Sequence, residues 1–532
     1  MKEVKTLYCL GALISAGSLF GCGGGDSDTI INNGSNKRPI VEATPQITSL
    51  DVDYSNGLLS PTIECTSCDP DALEFKWIAD DTIVSNSPTY VFDPNIATDG
   101  LIKLEVSARG VSNKTTTESV VYQIREIAEI YASHSAFAAR TTLGEVVAWG
   151  ATESGGNTSN VDVSTDVTQV YSTGYAFAAL KKDGAIAVWG HNLFANNANN
   201  FDFTGGVKEI YTNEISFSAV KNNNMLVSWG LVPNSVVDLS SGVKEVFVTS
   251  GAYAALKNDG SVVTWGDRDL GGDSSTVDLS SGVVRIYNNQ VAFVAVKEDG
   301  SVVSWGEDES GDTSMVDFSG GIKEVYGNNN SFIAIKNDNS AVTWGSNTAL
   351  NYDFTGGVKE VYVNDYAFTA IKHNGNVVTW GTDAWGTNYG GDSSQVDFSG
   401  GINKVYSTRY AFAAVKNDGS VVAWGDPDSG GEIPQDLDLS SGVKELYSTG
   451  AAFAALKDDG TVLTWGDRNK GGNKGNVDLS GGIRKFYSNE YAFAAIKNDG
   501  TLVTWGDNQH GGDSSKIINQ LQPSFTLIES SL

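Results

Sequence analysis

The chain is poor in the residues from which most protein chemistry is built. Its four histidines (His134, His191, His373 and His510) are scattered over 532 residues with no ligand spacing, so a zinc site is not expected. Ten prolines and three methionines exclude a proline-rich spacer and give no support to long helices. No cluster of Lys and Arg stands in the folded part, which removes the means of displacing counterions from a phosphate backbone and excludes nucleic acid as a partner. A Gly-x-Ser-x-Gly elbow, a phosphate loop, a His-Glu-x-x-His pair and a dinucleotide fingerprint are all missing. No stretch beyond the first twenty or so residues is long and apolar enough to span a membrane.

What is present is acid and glycine. Sixty-four Asp and Glu against 35 Lys and Arg give a net charge of −29, with the acids spread through turn-like segments, which suits cationic or basic partners. Sixty glycines point to many tight turns between short strands, and the expected class is all-β.

Lys2 and Lys5 precede an apolar run from Leu7 to Ile14, the layout of a cleavable secretory signal. Leu19-Phe20-Gly21-Cys22 resembles a bacterial lipobox, although Phe20 is unusual there. The resemblance implies lipid attachment at Cys22 after removal of residues 1–21, with residues 22–44 as a flexible tether; an ordinary signal peptide with a chance cysteine is the alternative. No Asp follows Cys22 directly, which in that family's sorting logic suggests the outer membrane, facing the periplasm or the surface. Cys9 would leave with the signal. Cys65 and Cys68 remain, and in an oxidising compartment they read as a local disulfide stiffening a loop.

Residues 45–126 carry clean alternation, as in Leu73, Phe75 and Trp77 against Glu74 and Lys76, or Ile102, Leu104 and Val106 against Lys103 and Glu105. Several such strands between Asp, Asn, Gly and Pro turns resemble an immunoglobulin-like sandwich, with Trp77 as a core aromatic.

Residues 127–515 repeat. Ten Trp-Gly pairs, from Trp149 to Trp505, follow one another at steps of 36 to 44 residues, and Trp385-Gly386 lies as an extra pair inside the longest step. Each unit holds three apolar runs, exemplified by Val243–Val248, Ala252–Lys257 and Ser261–Trp265. Asn258-Asp259-Gly260 links the last two, and Asp-Gly supplies the positive φ of a two-residue hairpin turn. Asn224 and Asn339 replace that glycine in two units, as Asn tolerates the left-handed region. Alanines in the second run, as in Ala452 to Lys457, allow neighbouring sheets to approach closely.

The recurrent Asp-Gly-x-x-x-x-Trp-Gly followed by a glycine-rich loop resembles the regulator-of-chromosome-condensation repeat family. That resemblance implies a β-propeller, and the short repeat resembles the family's short-blade bacterial branch, which includes a secreted inhibitor of β-lactamases. Two departures stand out: the family closes at seven blades whereas ten units occur here, and Gly271 to Ser275 (Gly-Gly-Asp-Ser-Ser) differs from the family's loop. A ring of short, three-stranded blades, a seven-bladed ring with extra units and an open array are all open at this point. The full apolar pattern in the first and last units favours a ring, because an open array needs polar caps. Residues 516–532 read as a C-terminal tail.

The loops after Trp-Gly are acidic. Asp267-Arg268-Asp269, Glu307-Asp308-Glu309 and Asp426-Pro427-Asp428 could offer oxygens to calcium, but lack a complete ligand set and read more simply as solvated turns. No other cofactor is implied. One loop is longer than its equivalents and places Asp383, Trp385 and Tyr389 together, a candidate binding loop or plain packing over the adjoining turn.

The function expected is that of an extracytoplasmic, membrane-anchored binding lipoprotein offering a propeller surface to a protein or glycan, and not an enzyme. The alternatives are a glycan-cleaving enzyme with carboxylates at the ring centre, an inhibitor of a partner enzyme and, as the family resemblance implies, exchange of guanine nucleotide on a small GTPase, which the export signal opposes.

Overall fold

The computed structural model describes residues 6–7 and 44–532 apart from 56, 94–99, 111–114, 196–202, 204, 232–236, 238, 240–241, 308–311, 347–351 and 382–386. The lipobox with Cys22, the tether to residue 43, and Asp383 and Trp385 of the long loop lie outside the described residues. The chain forms two compact units, Met1–Glu126 together with Pro523–Leu532, and Ile127–Gln522.

In the first unit, Gln46–Ser55 pairs antiparallel with Leu58–Thr66, which also pairs with Tyr90–Val91. A second sheet runs Ser524–Ser530, Thr115–Arg125, Leu101–Gly110, Cys68–Ala79, Thr82–Ser85. The alternation seen in the sequence faces one core, where Leu50, Val52 and Leu59 of one sheet pack with Trp77, Leu104 and Val106 of the other. Trp77 is fully buried, and its indole N–H donates to the Ser87 carbonyl at 3.0 Å. Tyr122 ties the sheets, accepting from the Val52 N–H (3.1 Å) and donating to Asp51 (2.5 Å).

The segment read as a tail is not one. Residues 524–530 form a strand in register with Thr115–Arg125, Ser524 opposite Arg125. Phe525 stacks on Tyr122 with ring centroids 4.2 Å apart. This strand was illegible in the sequence because it is exposed along most of its length and its polar–apolar alternation runs only from Ser524 to Leu527.

The second unit consists of ten antiparallel sheets of three strands each. In the fourth, Val243–Val248, Ala252–Lys257 and Val262–Gly266 pair in that order, with the middle strand the most deeply buried. Ala252, Ala254 and Ala255 have no exposed surface, as the close stacking of sheets demands. The hairpin turn differs from expectation. Lys257 N–H donates to Ser261 O and Gly260 N–H to Lys257 O, so three residues, not two, make the loop. Only Gly260 has positive φ (77°), which is a type I turn closed by a glycine bulge. Asn224 (63°) and Asn339 (65°) take that same left-handed position.

The ten periodically spaced Trp-Gly tryptophans are buried, each stacked on the aromatic of its own middle strand; Phe453 and Trp465 lie 5.1 Å apart and Phe493 and Trp505 5.0 Å. In seven of the ten blades the indole N–H also donates to the blade before it. Trp465 donates to Gly430 O (2.9 Å) and Trp505 to Gly471 O (3.2 Å), in the loops that follow the preceding Trp-Gly pairs. Gly430 has φ of +95°, and a Cβ there would stand 2.7 Å from the Phe453 ring, so backbone conformation and the next blade's aromatic both require glycine.

The same contacts join the last blade to the first. Trp149 donates to Gly511 O (3.0 Å), Tyr487 donates to Glu129 (2.9 Å), and Lys485 pairs with Glu129 at 3.2 Å. Ile127, Phe137 and Trp149 share one core with Ala492, Ala494 and Ile496. The ten blades close into a ring.

Candidate functional site

Because the three strands of a blade alternate in direction, the turn between first and middle strands and the loop after Trp-Gly fall at the same end of the ring. A buried Ser, Thr or Asn organises that end in each blade. Thr449 shows how: its hydroxyl accepts from Ala452 N–H (3.0 Å), fixing the turn, and donates to Lys470 O (2.8 Å), fixing the loop. Thr408 and Ser133 do the same with Ser429 and Ser154, while Asn364 and Asn489 use their amide N–H on Tyr389 O and His510 O.

The residue after each of these buried anchors lies on a belt of backbone hydrogen bonds running from blade to blade. Asn329 N–H donates to Asp365 O, Asp365 to Arg409, Arg409 to Gly450, Gly450 to Glu490, Glu490 to His134, His134 to Gly174, and Gly174 to Glu214. Ser250 donates to Gln290, and among the described residues no such bond joins Glu214 to Ser250 or Gln290 to Asn329. Inside the belt the turns of nine blades line a cavity of about 650 Å³.

Five belt positions carry ionisable side chains, and they find one another. Arg409 binds Asp365 (Nε to Oδ2, 2.7 Å) and Glu490 (Nη1 to Oε1, 3.0 Å). His134 lies 3.3 Å from Glu490 and 3.8 Å from Glu214. Burial opposes the charge on Arg409, but Asp365 and then Glu490 outweigh it and hold the guanidinium pKa above its ordinary value.

Tyrosines follow the belt in four blades. Tyr366, Tyr410 and the loop residue Tyr389 form a half-buried cluster with ring centroids 4.8 to 5.8 Å apart, and the Arg409 guanidinium lies 5.9 Å from the Tyr410 centroid. Burial raises the Tyr410 pKa and Arg409 partly offsets it. Tyr491 stands between His510 (4.5 Å) and the Lys470 ammonium (5.2 Å), and Tyr175 stacks on His134 at 5.3 Å.

Of the expected site residues, Tyr389 is thus brought into an aromatic cluster. Cys65 and Cys68 have Cα atoms 5.9 Å apart, a separation that a disulfide spans. The aspartates after Trp-Gly serve the loops themselves: Asp267 caps Asp269 N–H (3.0 Å), Asp467 caps Asn469 N–H (2.9 Å), and Asp426 accepts from the Ser429 hydroxyl (2.6 Å). Among the described residues no three His, Cys, Asp or Glu side chains gather as metal ligands. Sequence reasoning missed the belt, whose only signal is a Ser, Thr or Asn three residues before the first alanine or serine of each middle strand.

No family model matches the chain, nor does any curated protein. Among solved structures it is similar to the ectodomain of the receptor kinase CR4 from Physcomitrella patens, at 14% identity and a TM-score of 0.31 over 50% of this chain and 74% of that one. It is similar to the CRINKLY WD40 ectodomain of ACR4 from Arabidopsis thaliana, at 16% identity and a TM-score of 0.30 over 48% and 96%. Prp20p of Saccharomyces cerevisiae matches at 12% identity and a TM-score of 0.30 over 59% and 86%. The propeller assignment rests on the strand pairing and ring closure described above.

Proposed function

We propose that this chain is an extracytoplasmic binding lipoprotein, anchored through Cys22, that engages a protein partner with the belt end of its propeller. The observation that carries the reading is the Tyr366–Tyr389–Tyr410 cluster beside Arg409. Tyrosine supplies contact area at low entropic cost, arginine adds charge, and both are enriched at interface hot spots; these four are gathered at one end of the ring. A disulfide between Cys65 and Cys68 and an immunoglobulin-like character for the first unit belong to the same reading. A catalytic role is not proposed, since Asp365 and Glu490 are both engaged in holding Arg409 between them.

Two experiments test this. Metabolic labelling with a fatty acid should mark the full chain and leave Cys22→Ala unlabelled; equal labelling would refute the anchor. Cross-linking in intact producing cells should yield a discrete adduct that Tyr389→Ala combined with Tyr410→Ala abolishes. An adduct indifferent to both substitutions would remove the belt end as the binding face.

A further inference from the structure

We propose that the cavity at the ring centre is a second site, bordered by Arg409 as the first is, that holds a neutral, hydroxyl-rich ligand, the end of an uncharged oligosaccharide. The argument begins with what the cavity lacks. Its lining contains no Phe, Tyr or Trp and only Val248 and Val363 as apolar side chains, so an apolar ligand has little to bury against.

An anion would require convergent cations. The cavity's one arginine, Arg409, is already clamped between Asp365 and Glu490, and its one histidine lies against Glu490. A metal cation would require several carboxylates, and Glu214 is the only one that Arg409 or His134 does not hold within 3.5 Å. The charged half of the cavity therefore has no cation to spare for an anion, and its three carboxylates outnumber its single arginine.

The other half is built of amides and hydroxyls. Asn288, Gln290 and Asn329 bring side-chain amides to it, the Ser250 hydroxyl donates to Gln290 O at 2.8 Å, and Thr249 and Asn328 behind them are committed to their own turns. This is also where the belt is broken. Glu214 N–H and Ser250 C=O on one side, and Gln290 N–H and Asn329 C=O on the other, lack the bond that the remaining belt positions make with one another. Side-chain amides and open backbone groups offer donors and acceptors in equal measure. A sugar hydroxyl, which is both donor and acceptor, matches such a wall, whereas an ion matches only half of it. A volume of about 650 Å³ is within the range of sites for ligands of that size.

The test uses the full chain on an array of neutral, acidic and amino oligosaccharides, followed by calorimetric titration of the neutral glycans retained. Retention of a neutral glycan, with affinity about tenfold weaker in Gln290→Ala or Asn329→Ala, is expected, because each truncation removes an amide pair from the site. The melting temperatures of both variants should match the parent. Retention of acidic or of amino glycans alone, no retention, or neutral binding that ignores both substitutions would overturn the proposal. The cross-linked adduct lost in the Tyr389 and Tyr410 variants is read independently, so a failed sugar site leaves the protein-binding reading standing, and the reverse holds equally.

Discussion

Arg409 and Glu490 belong to blades that are not neighbours, yet their side chains meet at 3.0 Å, because Gly450 stands between them on the belt with no side chain to intervene. A Cβ on Gly450 would lie 3.0 Å from Glu490 O and 3.5 Å from Arg409 Cδ. His134 and Glu214 face each other across Gly174 in the same way. Two glycines thus decide which charges of the belt can pair.

That pair should be measurable and modest. With Arg409 42% and Glu490 24% exposed, solvent screens the interaction, and a double-mutant cycle of Arg409→Met and Glu490→Gln should return a coupling of about 1 kcal/mol. The coupling should shrink as salt is raised from low to high concentration. A cycle that closes to zero at low salt would show the contact contributes nothing.

The glycines of the loops sort into two kinds. Gly430→Ala combines a left-handed backbone with a collision against Phe453, whereas Gly460→Ala meets only the backbone strain, since nothing lies within 4 Å. Thermal unfolding should show the first to be worse, at about 3 kcal/mol against about 1 kcal/mol. Equal losses would mean that the loop shifts away from the next blade freely.

Tryptophan to phenylalanine changes separate the indole hydrogen bond from the packing. Trp465→Phe strands the Gly430 carbonyl, while the Trp380 indole N–H has no acceptor among the described residues. Trp465→Phe should therefore cost about 1 to 2 kcal/mol more than Trp380→Phe in denaturant titrations. The opposite order would remove the indole bond as a blade-to-blade tie.

Acid should loosen the end of the ring opposite the belt. Turn aspartates are held at about 2 in the folded chain, Asp317 chiefly by the Ser319 hydroxyl, Asp353 by Thr355, and Asp162 by Ser164 with Lys181 beside it. A lowered folded pKa contributes stability that is present above the unfolded carboxylate value of about 4 and lost as pH falls toward 2. Melting temperature should stay level from neutrality to about pH 4.5 and fall steeply below. A fall beginning between pH 7 and 5 would point to groups other than these turns.

Periodicity made most of this fold legible. Trp-Gly located ten blades and Asp-Gly located their hairpins, because one physical demand is repeated at one spacing. The belt was invisible for the converse reason: its positions hold His134, Gly174, Glu214, Ser250, Gln290 and five others with no residue type in common, since a bond between backbones leaves the side chain free to vary. Ring closure could only be inferred from missing caps. The loop length pointed to Tyr389, but nothing in the chain announced Tyr366 and Tyr410 as its companions, 23 and 21 residues away.

The strand Ser524–Ser530 finishes a sheet whose adjoining strand, Thr115–Arg125, is made some four hundred residues earlier in synthesis. The first unit therefore waits, with a row of backbone groups unpaired, until all ten blades have emerged. A message cut short anywhere in the repeats yields blades without that seal, leaving Tyr122 uncovered and an open strand edge on display to quality-control proteases.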